Sequence, residues 1–454
     1  MRDIPVRAGS TGPNGRSSPS IGLGVVAFVS GLHVAHAQIT FTAATNYPVG
    51  NQPVWVTAAD VNGDGRMDLI TANLGGFDLT VLTNSGDDTF GSNATYEAGE
   101  IQAVVAADIN HDGKVDLIAA GGDTLEVFTN NGAGGFIIAS IYNVDLSPYW
   151  VIAADVNGDG WVDLVSGNGT SLVILTNDGA GNFVLASEPG VSSRSVAVAD
   201  VNGDGKMDLL EVAPYSSGSS TLLVLTNAGN GTFSLCSSNS LATRWACLIS
   251  ALDVNSDGKM DVIVPDFDSS QGKTLTVLTN DGTGHFTISS VCPAGNGPYS
   301  VIPADLDGDG RMELVCGSKF GSALTILTNN GLGGFGSNST LNAQSAVVAA
   351  ADLNGDGKLD LATVGTSLSV LYNTSIFPPP TTTPALTMNT SGGNLSVSWP
   401  AESAGWSLQQ VRDLNSMNWS PSGYDGYPIV DDGTNNNLIL PATGGHLFFR
   451  LLHP

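Results

Sequence analysis

The string Asp-x-Asn/Asp-x-Asp-Gly-x-x-Asp/Glu occurs seven times, starting at Asp60, Asp108, Asp155, Asp200, Asp253, Asp305 and Asp352. Successive copies are 48, 47, 45, 53, 52 and 47 residues apart. A unit repeated at such a period cannot bury its own apolar face, so its copies must stack or circularise. A second string, Leu-x-Val/Ile-Leu/Phe-Thr-Asn, follows at 79–84, 125–130, 172–177, 222–227, 275–280 and 324–329, with Leu368-Ser-Val-Leu-Tyr-Asn373 as its seventh form. Each of the first six runs through a glycine turn into Phe90, Phe136, Phe183, Phe233, Phe286 or Phe335.

One repeat therefore reads as four strands. An Ala/Val-rich strand ends at the first acid, a second leaves the loop at Asp68-Leu-Ile, the Leu-Thr-Asn strand is third, and a fourth starts at the phenylalanine. Four short strands at this period predict a propeller blade, and the whole predicts an all-β, seven-bladed β-propeller over residues 38–377. The seventh repeat lacks a fourth strand. Ile39-Thr-Phe41 stands 19 residues before Asp60, matching the 17 to 20 residues from phenylalanine to acid elsewhere. It is expected to complete the last blade and close the ring, leaving no open sheet edge.

The ends read differently. Arg2, Arg7 and Arg16 precede an apolar run at 21–34 and then Ala35-His36-Ala37, so residues 1–37 read as a secretory signal peptide. The mature chain is expected to be secreted or at the cell surface, with no membrane insertion. Residues 378–384 are a Pro/Thr linker of extended type. Residues 385–454 alternate apolar segments with turn residues and predict a small β-sandwich-like domain. The cysteines Cys236, Cys247, Cys292 and Cys316 could pair in an oxidising compartment or pack reduced in the core, and spacing does not choose.

The acidic loops carry oxygen ligands at positions 1, 3, 5 and 9, with glycine at position 6 for the sharp turn. These are Asp60, Asn62, Asp64 and Asp68; Asp108, Asn110, Asp112 and Asp116; Asp155, Asn157, Asp159 and Asp163; Asp200, Asn202, Asp204 and Asp208; Asp253, Asn255, Asp257 and Asp261; Asp305, Asp307, Asp309 and Glu313; and Asp352, Asn354, Asp356 and Asp360. Dense carboxylates suit Ca2+, which takes six to eight oxygens, better than Mg2+, which keeps its waters. Up to seven calcium ions are expected. The loops hold 22 of the 42 acidic side chains, so the net charge of −27 is mainly a metal-site requirement. It also argues against nucleic acid as a partner.

These loops and their spacing resemble the FG-GAP/VCBS repeats of integrin α-subunit propellers and of secreted bacterial proteins, over about residues 39–377. The resemblance implies the propeller and its metal positions. It does not fix a function, because such propellers serve as adhesins, lectins, lyase scaffolds and partner platforms.

No histidine is paired with a nucleophile motif or set at zinc spacing, and the carboxylates are largely committed to the loops. The residues point to a non-enzymatic, monomeric module binding carbohydrate or an extracellular protein. A propeller supporting polysaccharide cleavage and a purely structural surface protein are the alternatives. Aromatic and basic residues cluster in the connections entering the first strands: Tyr149, Trp150, Arg194, Trp245 and Tyr299. Topology places these on the face opposite the acidic loops, where they form the expected ligand face; the alternative, weightiest for Trp55 and Trp150, is that the rings pack between adjacent blades.

Overall fold

The computed structural model describes residues 39–376, apart from short connections at 145–146, 168–170, 188, 191–192, 194, 214–218, 242–245, 268–272, 322 and 344–345, together with strands between 387 and 452. The expected signal peptide and Pro/Thr linker lie outside the described residues.

Seven four-stranded antiparallel sheets follow one another along the chain. The first comprises Pro53–Ala59, Asp68–Asn73, Asp78–Asn84 and Phe90–Glu97, paired in that order. The second to sixth blades span 101–143, 150–187, 195–240, 250–293 and 298–341. The seventh takes Val347–Ala351, Asp360–Val364 and Leu368–Leu371 from one end and Thr45–Tyr47 from the other. This is an all-β seven-bladed propeller. Among the described residues there is no helix, and so none long and apolar enough to cross a membrane.

Burial explains the sequence of each strand. Second strands are sandwiched between neighbouring blades and are buried at every position of Asp68–Asn73 and Asp116–Gly121. Such strands read as near-continuous apolar runs. Fourth strands stand at the rim and expose most of their residues, as in Phe136–Asn143, leaving the leading phenylalanine turned inward. The apolar core is accordingly divided into seven slabs, one at each blade–blade interface. Each fully buried Leu or Val contributes about 1.5–3 kcal/mol. In blades one to six the pairing of third and fourth strands slips at the same place, for example between Val81 and Leu82. A bulge repeated in this way increases the twist that turns each outer strand away from the ring axis.

Closure is antiparallel, with Thr45 opposite Val370 and Tyr47 opposite Leu368. The Thr42 amide donates to Tyr372 O at 2.8 Å and the Thr374 amide to Thr40 O at 2.7 Å. Ile39 is buried in the slab between blades six and seven.

None of the four cysteines is joined in a disulfide; Cys292 and Cys316 share the slab between blades five and six. Burial raises the Cys316 thiol to about 12. Beyond the propeller, Thr387–Ser391, Asn394–Pro400, Asn435–Pro441 and Ile429–Asp431 form one sheet, and Ser420–Pro421, Ser407–Val411 and Phe448–Leu452 a second.

One core residue breaks the apolar pattern. Glu211, in the second strand of blade four, is fully buried and neither carboxylate oxygen has a hydrogen-bond partner. Burial raises it from 4.5 to about 8. Its register neighbours Val196 and Leu223 belong to the slab between blades three and four.

Two outcomes are expected. Deleting residues 39–48 removes the strand that covers Leu368–Leu371, so the variant should melt lower and self-associate in light scattering. For Glu211, the folded state keeps a proton over roughly pH 4.5 to 8 that the unfolded chain has lost, so stability falls as pH rises through that window. Glu211→Gln should melt close to the parent near pH 5 and at least about 2 °C above it near pH 8. A gap that does not change with pH would show that Glu211 is not the titrating group.

Candidate functional site

Each acidic loop joins the first and second strands of its blade, so all seven lie on one face of the ring. In the first loop the two carboxylate oxygens of Asp60 accept the amides of Gly63 at 2.8 Å and Gly65 at 2.7 Å. Asn62 Oδ1 accepts the Asp64 amide at 2.9 Å, and Asp64 Oδ1 the Arg66 amide at 2.9 Å. These bonds curl the chain around its own oxygens. Gly65 stands at φ 85°, a left-handed conformation that costs a residue with Cβ about 1–2 kcal/mol. Position 4 is also left-handed, and His111 (φ 54°) and Ser256 (φ 60°) occupy it without glycine. In six loops the cation at position 7 reaches the Asp at position 5, as in Lys114–Asp112 at 3.4 Å and Lys358–Asp356 at 3.3 Å.

The ninth position has a different environment. Asp68 is fully buried, and its oxygens accept the Val61 amide at 3.1 Å and the Asn84 amide at 2.8 Å. It thereby pins its loop to the third strand. Burial raises the Asp68 carboxyl, the two amides pull it back, and the negative charges of Asp64 and Asp60 raise it again. Asp116, Asp163, Asp208 and Asp261 repeat this pattern, and Asp360 reaches about 6. Burial and like charge both penalise the ionised form of these carboxylates, and a divalent cation placed among them would relieve that penalty.

The donor set fits calcium. Every loop gathers hard carboxylate and amide oxygens, several of which keep lone pairs that the loop's own amides do not use. The fit is clearest in the sixth loop, where carboxylate oxygens of Asp305, Asp307 and Glu313 lie within 4.8 Å of one another. Glu313 Oε1 is buried with no hydrogen-bond partner, and burial raises this carboxyl to about 8. Among the described residues, no other three His, Cys, Asp or Glu side chains meet that spacing. The other loops place Asn, with an amide oxygen, at position 3.

Sequence reasoning missed one set of residues on this face. The asparagine ending each third strand donates its side-chain amide to the second residue of the preceding blade's loop. Asn130 reaches Val61 O at 2.8 Å, Asn177 Ile109 O at 2.7 Å, Asn227 Val156 O at 2.7 Å and Asn280 Val201 O at 2.8 Å. Asn329 reaches Val254 O at 3.1 Å, Asn373 Leu306 O at 2.9 Å and, across the closure, Asn84 Leu353 O at 2.8 Å. The signal was present: asparagine recurs at that place in all seven repeats.

The opposite face receives the starts of the first strands and the turns between second and third strands. There the channel opens into a cavity of about 420 Å3 lined by Trp55, Tyr149, Tyr299, Lys319 and Phe320 among others. Tyr149 is 47% exposed and Phe320 56%. Phe267 meets Tyr299 edge-on at 5.2 Å and stacks on Phe320 at 5.1 Å. Lys319 Nζ lies 4.4 Å from the Tyr299 ring centre.

Of the five expected ligand-face residues, Tyr149 and Tyr299 line this mouth together. Trp150 does not belong with them: it is 3% exposed and packed in the slab between blades three and four, because the first strand turns its ring inward there. Arg194 and Trp245 lie outside the described residues. Trp55, half-buried, packs against four interface slabs and lines both the mouth and an inner channel cavity of about 210 Å3.

The FG-GAP-like repeat family matches residues 108–166, 155–211 and 253–316, and the FG-GAP repeat family matches 193–234. No curated protein matches the sequence. Among solved structures, a similar one is an Agrocybe aegerita lectin described as recognising non-reducing terminal N-acetylglucosamine. It is 23% identical over 64% of this chain and 80% of the lectin, with a TM-score of 0.43. Another is BBS1N in complex with ARL6DN, soaked with lead, 13% identical over 74% of this chain and 97% of that one, with a TM-score of 0.52. The latter likeness is one of fold. Four-stranded blades closed into a ring, each with its acidic loop, together with the matched repeats, make this chain an FG-GAP repeat β-propeller.

Proposed function

We propose that the protein is a secreted, calcium-binding propeller that acts without catalysis as a ligand-binding module, taking a saccharide at the channel mouth. The observation that carries this reading is the mouth itself. A concave cavity of about 420 Å3 combines exposed aromatic rings with a few polar groups. That lies within the range of small-ligand clefts, about 300–1,000 Å3. Aromatic faces suit the C–H face of a sugar ring, and the polar rim suits its hydroxyls. A flat extracellular protein would use little of such a recess, so the saccharide is the better match.

Calcium serves the scaffold in this reading. Without the ion each loop gathers three or four carboxylates, and their repulsion acts against the turn that the amide bonds shape. Each occupied site adds stability by mass action, about 2.7 kcal/mol at a hundredfold excess over Kd.

Two measurements follow. Excess chelator should lower the melting temperature clearly, and added calcium should restore it; an unchanged melting curve would remove calcium from the account. In a glycan-array screen, a binding glycan should lose about tenfold or more in affinity on Tyr149→Ala or Phe320→Ala, with metal content and melting temperature retained. If both variants melt lower and keep their affinity, the rings are packing groups and the ligand site is elsewhere.

A further inference from the structure

Cations are scarce in this chain, 15 Lys and Arg against 42 Asp and Glu. Six of them sit at position 7 of the acidic loops, each paired with an aspartate of its own loop. Lys319 is placed otherwise. Among the described residues it has no carboxylate partner, and its ammonium rests over the Tyr299 ring. Among the described residues, no Asp or Glu lines the cavity into which it opens.

The turn that carries Lys319 is held in place. Its backbone amide donates to Gly297 O at 3.1 Å. The Ser318 hydroxyl accepts the Gly321 amide at 2.9 Å and donates to Asn296 O. The ring beneath the ammonium is itself fixed by Phe267, which stacks on Phe320. A positioned ammonium beside aromatic faces, in a recess whose described lining carries no acid, is a local reversal of sign in a strongly acidic chain. Such a group forms charge-assisted hydrogen bonds with an anion, and those are about twice as strong as neutral ones.

Resting on the reading of the mouth as a saccharide site, we infer that its ligand is an anionic sugar. Its carboxylate or sulfate meets Lys319 Nζ while its ring lies against Tyr149 and Phe320. A neutral sugar would use the rings and leave the ammonium to water. The acidic loops are on the other face, so the sugar's charge does not face their carboxylates.

The test is titration calorimetry on the full chain in calcium with three probes of matched length. These are an oligogalacturonate, its full methyl ester and a sulfated galactan oligosaccharide. The uronate or the sulfated probe should bind at least about tenfold more tightly than the neutral ester, and added salt should shrink that gap. Binding of one anionic probe but not the other identifies the substituent. Lys319→Gln should bring the anionic probe down to the level of the ester, Lys319→Arg should largely preserve it, and both variants should melt as the parent does. Equal affinity for uronate and ester, still weakened by Phe320→Ala, would overturn the charge selectivity and leave the mouth as a sugar site. Anionic binding that is lost on chelation but unaffected by Lys319→Gln would place the acid on the calcium loops and overturn the inference. If no probe binds and the array is silent as well, the mouth is not a sugar site and both readings fall.

Discussion

Seven asparagine amides, one per blade, tie each sheet to the acidic loop of the sheet before it. Each backbone N–H of these residues donates to the buried carboxylate of its own blade, except in blade six, while each side chain donates to the loop of the blade before it. Apolar slabs supply most of the attraction between blades, but burial is not directional and does not set how far one blade slides on the next. The asparagine bonds are directional, nearly all between buried atoms, and broken only at the cost of leaving a buried polar group unmatched, about 1–3 kcal/mol. They therefore fix the register of the ring. Because the accepting carbonyl belongs to an acidic loop, whatever orders that loop also steadies the following blade.

The same strand polarity repeated seven times sorts the chemistry of the chain onto two faces. First strands all run toward the acidic loops, so carboxylates accumulate at one end and aromatic connections at the other. Charges separated by more than a Debye length, about 8 Å at physiological salt, scarcely act on each other through solvent. The mouth can then carry its own electrostatic character in spite of the net charge of the whole. Trp55 closes the arrangement by filling the axis beneath the mouth and touching several interfaces at once.

Much of this was legible before any coordinates. Period, strand count and ring closure follow from the spacing of two strings, since few architectures accept four short strands every 45 to 53 residues. What the sequence concealed is which way a side chain turns where a connection enters its first strand. Trp150 and Tyr149 are neighbours in sequence, yet one is core and the other open, and no composition argument separates them. Asp68 reads as one more acidic oxygen in a list of four; only its burial and its two amide donors distinguish it from Asp64. Glu211 gave no signal at all, because a lone acid in an apolar strand reads as solvent-facing until both neighbouring blades are in place.

Ring closure joins Thr40 to Ser375, a separation of 335 residues. Thr45–Tyr47 has no strand partner until Leu368–Leu371 is in place, so closure pairs segments from opposite ends of the propeller. Long-range pairing of this kind is slow and leaves an edge available while it waits. Once made, it works in the opposite sense. Opening the ring breaks the seam where blades six, seven and one meet, and the remaining blades stay joined until it parts. If unfolding starts at this seam, the lifetime of the folded protein becomes a matter of rate more than of equilibrium.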